Sequence, residues 1–207
     1  MIAIRLRGNR PCVDTQHVVG DEFARVLADA QGGDEEQFAV LWRDANPALL
    51  RYLRVLAPEN AEDVAAETWV YVVRGLASFI GDEPAWRAWL FTTARRRLLD
   101  QARLRRRHPA EPLDEISAAE VPSTPDTAQL ALDNIATGAA LALLSRLPPP
   151  QAEVIMLRVV AGLDTDAVAA MLGKSPGNVR VIAHRGLKRL EVLLGQPGAI
   201  ARAGVTL

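Results

Sequence analysis

Apolar positions recur at three- and four-residue spacing along most of this chain, and no long β-branched alternation bounded by turn residues interrupts them. That period predicts an all-α protein. A first helix is expected from about Glu22 to Ala30, ended by Gly32-Gly33. Asp34 is placed to cap the next, which runs to about Ala57 with Pro47 as a kink or a break. Pro58-Glu59-Asn60 reads as a turn. AEDVAAETWVYVVRGL then forms a helix with Val64, Trp69, Val72, Val73 and Leu76 on or beside one face. SFIGDEP is a loop, and Pro84 suits the first turn of a helix reaching about Arg107. Asp126 is a candidate cap for a helix through about Leu144, and LPPP breaks the chain. Further helices are expected at about Gln151–Ala161, Thr165–Leu172 and Pro176–Leu194.

The spacing of breaks suggests an organisation. Residues 1–21 read as a loose extension, 22–108 as one small helical domain and 126–195 as a second, with 196–207 as a tail. Between the two, 109–125 is an acidic, proline-rich and therefore flexible linker.

Charge sharpens that division. The 207 residues carry a net charge of −1, but the sum hides an asymmetry. Eight arginines and one acid, Asp100, fall between Trp86 and His108. No Lys or Arg and six acids follow from Pro109 to Ser145, and then seven bases against four acids up to Leu194. Two basic blocks around an acidic strip suggest two contacts with one polyanion.

The C-terminal block meets the demands of a helix-turn-helix. Ala169 is small where two helices would cross, Gly173 permits a positive φ in the turn, and Val179 and Ile182 face inward. Val168 and Leu172 supply the first helix's inner face. Ser175 can cap the second helix, with Pro176 at its first position. Asn178, Arg180, Ala183, His184, Lys188 and, at the margin, Arg185 remain outward, where they can reach base edges and phosphates in a major groove.

The earlier block reads WRAWLFTTARRRLLDQARLRRRH. As a helix it sets Trp86, Trp89, Leu90, Ala94 and Leu98 along one side, with core as the expected use of both tryptophans. Arg87, Arg95, Arg96, Arg103 and Arg106 collect opposite, a face whose mutual repulsion phosphates would relieve. Asp100 is expected to anchor a neighbouring arginine. On the preceding helix Glu62, Asp63 and Glu67 lie close to Trp69, Val70 and Tyr71, an acid-and-apolar surface suited to a protein partner.

Little points to catalysis. The histidines, His17, His108 and His184, lie far apart; there is no glycine-rich phosphate loop and no Ser/His/Asp set. No metal site, cofactor or enzymatic activity is expected. Cys12 is the lone cysteine, so no intrachain disulfide is expected. No run is long and apolar enough for a transmembrane helix or a secretory signal, so a soluble cytoplasmic protein without membrane insertion is the expectation.

In this order, AEDVAAETWVYVVRGL, AWLFTTARRRLLDQARLRRR and LPPPQAEVIMLRVVAGLDTDAVAAMLGKSPGNVRVIAHRGLKRL resemble the extracytoplasmic-function (ECF) group of bacterial sigma factors, within the sigma-70 family. The resemblance implies a sigma factor that binds core RNA polymerase and directs promoter recognition, melting and initiation. Asp63, Glu67, Trp69, Val70 and Arg74 would face the clamp helices of the largest polymerase subunit, with the flap as a further polymerase contact, and the acidic linker would thread toward the RNA exit path. SFIGDEP and the Arg87, Arg95, Arg96, Arg103 and Arg106 face would serve the minus-ten element. Ser175, Asn178, Arg180, His184, Arg185 and Lys188 would serve the minus-thirty-five element. It further implies an anti-sigma protein as an inhibitory partner. The chain departs from the family at Arg96, where Asn is common, at Ala66, where Gln is frequent, and at Val181-Ile182-Ala183, where Ser-Arg-Leu is common. The competing reading is a stand-alone helix-turn-helix regulator, which would ordinarily need a dimerisation helix that the chain does not show.

Overall fold

The computed structural model describes residues 20–107 and 138–195. Within them every regular element is helical. After a 3-10 turn at Gly20–Glu22, α1 spans Phe23–Gln31 and buries Phe23, Val26, Leu27 and Ala30. Gly33, at φ +98°, supplies the left-handed residue that turns the chain into α2. Asp34 then accepts from the backbone N–H groups of Glu36 and Gln37, capping α2 (Glu35–Leu56) as its position in the sequence predicts. Pro47 neither breaks nor ends α2. The missing N–H and ring clash cost about 3 kcal/mol, which burial of Leu41, Ala45, Ala48, Leu49, Tyr52 and Leu53 on both sides of it offsets.

A 3-10 turn at Pro58–Asn60 leads into α3 (Ala61–Leu76). Its buried stripe holds Val64, Ala65, Thr68, Trp69, Val72 and Leu76. Val73, expected beside that stripe, is exposed, because it falls past the edge that Trp69 occupies. After the loop 77–82, α4 runs from Glu83 to Arg107 and buries Trp86, Leu90, Phe91 and Ala94 against α2 and α3. Trp86 is the hub of an aromatic cluster, with Phe23, Trp69, Phe79 and Trp89 all within 6.5 Å between ring centroids.

The second group begins with α5 (138–144). The expected cap Asp126, the start of that helix, the linker at 109–125 and the tail lie outside the described residues. The prolines end α5 and also start α6 (Pro149–Ile155), whose N-terminal positions need no N–H. The helix then widens into a π turn at Met156–Val160, where the Ala161 N–H reaches the Met156 carbonyl. Asp164 caps α7 (Thr165–Leu172), Gly173 at φ +63° ends it, and Ser175 caps α8 (Pro176–Leu194) through the Asn178 N–H. Val168, Ala169 and Val179 are buried where α7 meets α8, and Gly186 is buried against Ile155 of α6. This is the helix-turn-helix that the glycine and the cap predict.

The two groups touch. The Tyr52 hydroxyl on α2 donates to Glu153 Oε1 of α6 at 3.4 Å, and Arg95 Nε on α4 donates to the same oxygen at 2.7 Å. Apolar residues of both groups form one continuous core around this polar bridge. No described helix is long and apolar enough to cross a membrane.

Candidate nucleic-acid interface

The face of α8 is built from its first residue. Ser175 fixes the entry, and Val179, Gly186 and Leu187 turn inward. One stripe of a helix being buried leaves the rest outward: Ser175, Asn178, Arg180, His184, Arg185 and Lys188 are all exposed. The sequence picked these six; it did not pick Lys174 and Arg189, which are exposed beside them. Among the described residues none of these cations has a carboxylate within ion-pair distance.

The face of α4 is different. Arg87, expected among the outward arginines, is 5% exposed. Its Nη2 donates to Asp44 at 2.8 Å and its Nε to Glu83 at 3.1 Å, so it ties α4 to α2 from inside. A charge buried this deeply needs such partners, and Asp44 stands 43 positions away, beyond any local pattern. Arg95 is half-buried and held by Glu153. Arg103 pairs with Asp100 at 3.2 Å, the anchor expected of that acid. Arg96 is exposed, and the side chain of Arg106 lies outside the described set.

On α3, Asp63, Glu67, Val70 and Arg74 are exposed. Glu67 accepts from Gln101 of α4 at 3.2 Å. Trp69 is interior, 8% exposed, with its indole N–H on Asn46 Oδ1 and its ring edge-on to Phe38. It supports the acid-and-apolar face from beneath instead of standing on it. Trp42, Val70, Tyr71 and Val73 provide the exposed apolar area. Glu62 bonds Arg54, and that hydrogen bond holds its carboxyl below the ordinary glutamate range.

Between the end of α3 and the start of α4 lies an open cleft of about 490 Å³, lined by Tyr71, Arg74, Gly75, Ser78, Phe79, Ile80 and Trp89. Phe79 and Trp89 stack at 5.1 Å with planes 21° apart. Arg97 lies over the Tyr71 ring at 4.9 Å. The residues are aromatic on one side and cationic at the rim, a combination that can take the π-face of a base and the phosphate attached to it. The loop is legible in the sequence; Tyr71, Trp89 and Arg97 as its neighbours are not. The signal was the proximity of Phe79 to two tryptophans that only the fold supplies.

Residues 41–108 match sigma-70 region 2, and residues 137–190 match sigma-70 region 4. An ECF RNA polymerase sigma factor, ShbA of Streptomyces griseus, is 33% identical over 175 residues, covering 79% of this chain and 91% of that one. SigD of Mycobacterium tuberculosis, also an ECF sigma factor, is 30% identical over 181 residues, covering 83% and 84%. Among solved structures, CnrH in complex with the cytosolic domain of CnrY superposes with a TM-score of 0.56 at 27% identity, covering 84% of this chain and 97% of CnrH. The RpoE sigma factor of Bartonella quintana, at 24% identity and a TM-score of 0.56, shares the fold. With both sigma-70 regions in order and relatives matched over most of their length, the chain belongs to the ECF RNA polymerase sigma factors of the sigma-70 family.

Proposed function

We propose that this chain brings core RNA polymerase to promoters by dividing the work among three surfaces. The α8 face enters the major groove at the upstream, minus-thirty-five element, with Asn178, Arg180, His184 and Arg185 toward bases and Ser175 and Lys188 toward the backbone. The cleft takes an unstacked base of the downstream, minus-ten element while Arg96 and Arg103 hold the melted strand. Arg95 joins them once a phosphate replaces the Glu153 carboxylate. Arg106 extends the same strand contact; Arg87 supports it structurally. Asp63, Glu67, Val70 and Arg74, braced by Trp69, bind the clamp helices of the largest polymerase subunit. The second domain binds the flap, and the linker at 109–125 spans the two domains, 22–108 and 126–195. The chain is an initiation factor of the cytoplasm and not itself an enzyme. By analogy with the Bartonella quintana sigma factor RpoE, solved in complex with the anti-sigma factor NepR, an anti-sigma protein is its inhibitory partner.

The observation that carries this reading is the α8 face: a capped recognition helix, entered through a left-handed glycine, whose cations have no carboxylate partner among the described residues. The experiment is run-off transcription with core polymerase and the purified chain on a promoter library. Specific initiation that fails without the chain is expected, and no initiation on any template would overturn the reading. In the same preparation, changing Asp63 and Glu67 together to Ala should reduce co-purification with core polymerase. Undiminished co-purification would remove the α3 assignment.

A further inference from the structure

Gln31 ends α1, ahead of residue 41, where the region 2 match begins. Its side-chain amide donates to the Leu76 carbonyl at 2.9 Å and to the Phe79 carbonyl at 2.7 Å. The Leu76 carbonyl also accepts the Phe79 N–H at 3.0 Å. One side chain, 45 and 48 positions away, therefore fastens both ends of the turn in which α3 stops.

That turn carries the wall of the cleft. Gly75 leaves room for Trp89 to lie across the last turn of α3: a Cβ there would stand 2.9 Å from Trp89 Cζ2. A Cβ at Gly81 would stand 2.8 Å from Ala85 Cβ and 3.0 Å from Phe79 Cζ. Phe79 also meets Trp86 edge-on at 5.7 Å. The rings are thus packed without slack, yet Ile80, the next residue along, is 95% exposed and touches little. The height and tilt of Phe79 against Trp89 follow the backbone of the turn as well as this packing. Ser78 fastens that backbone to the Gly75 carbonyl, and among the described residues Gln31 alone bonds it from another helix, at Leu76 and Phe79.

We infer that Gln31 is a positioning residue for the base-accepting cleft. By bonding the Leu76 and Phe79 carbonyls together, it fixes the Phe79–Trp89 wall at the depth an unstacked base requires. A side chain with no other task would contribute only stability, evenly to every activity of the chain. A positioning residue acts on single-strand binding and base preference and leaves duplex binding through α8 alone. The inference rests on the cleft being the base site, as proposed above.

The test uses the full chain and fluorescence anisotropy with labelled dA12, dC12 and dT12, a random-sequence duplex as control, and thermal melting. Gln31→Met keeps the length and removes both donors. It should weaken the preferred single strand about five-fold or more and level the preference among the three, with duplex binding unchanged. Gln31→Glu turns an acceptor toward the same two carbonyls and should do the same or worse, while Gln31→Lys, which keeps a donor, should recover part of the loss. Trp89→Ala tests the cleft itself. If Trp89→Ala levels the preference and Gln31→Met and Gln31→Glu do not, the positioning role is overturned and the cleft stands. If Trp89→Ala leaves the preference intact, the cleft is not the base site and the positioning role falls with it. If the Gln31 variants lower single-strand and duplex binding together with the melting temperature, the role is stability alone and the inference is overturned.

Discussion

Two long helices, α4 and α8, are both rich in cations, and they use them in opposite ways. On α4, Arg87 is buried between Asp44 and Glu83, Arg95 is held by Glu153, Arg103 by Asp100, and Arg97 rests on an aromatic ring. On α8 the cations point to water, with no carboxylate in reach among the described residues. The difference teaches that a count of arginines on a helix does not define an anion-binding face. What decides is which acids the rest of the fold brings to them. Much of α4's charge fastens protein to protein, whereas that of α8 stays available.

Arg87 and Arg96 give the largest contrast within α4. Arg87→Ala removes the buried guanidinium that Asp44 and Glu83 bond and should cost about 3–5 kcal/mol of unfolding free energy, measured by urea denaturation. Arg96→Ala, at an exposed site, should stay within about 0.5 kcal/mol in the same measurement. Equal losses would erase the distinction. On α8, Arg180→Ala should cost about 1–3 kcal/mol in binding at the upstream element, measured with polymerase holoenzyme on templates varied at that element, whereas Lys188→Ala should weaken binding to all of those templates alike. A loss shared equally by all templates would assign Arg180 to phosphate as well. Ser175→Ala removes the α8 cap and should lower stability by about 1 kcal/mol, read as a fall in the thermal midpoint.

The smallest effect concerns Arg54–Glu62, a pair more than half exposed on both sides. Arg54 lowers the Glu62 pKa in the folded chain, so folding favours the carboxylate. The stabilisation is present at neutral pH and lost as pH falls through the folded-state value. Water screening limits it to about 0.3 kcal/mol. Glu62→Gln should remove that much of the pH dependence between neutral and acidic urea titrations. A larger change would mean that the pair does more than its exposure allows.

What the sequence made legible was local. Asp34, Gly173, Ser175 and Pro149 act on residues within a turn of themselves, so these caps and turns and six exposed residues of the α8 face could be read directly, although Lys174 and Arg189 beside that face and the continuity of α2 through Pro47 could not. What it hid were meetings across the fold. Arg87 looks outward until Asp44 is found beside it, Trp69 looks available until Asn46 and Phe38 surround it, and Gln31 looks like a helix end until the turn after α3 arrives. The π turn after α6 was also invisible, because its i to i+5 spacing leaves no residue signature in MLRVV.

The shared carboxylate of Glu153 has a consequence for how the chain's halves come apart. One oxygen serves a guanidinium on α4 and a phenol on α2 whose ionisation is pushed far upward, chiefly by burial and then by that same acid. Drawing the arginine away leaves the acid anchored to the tyrosine alone, and drawing the tyrosine away wets a hydroxyl that the apolar seam keeps dry. The two bonds share one oxygen and lie within one continuous apolar core, so the halves should let go together, in a single cooperative step.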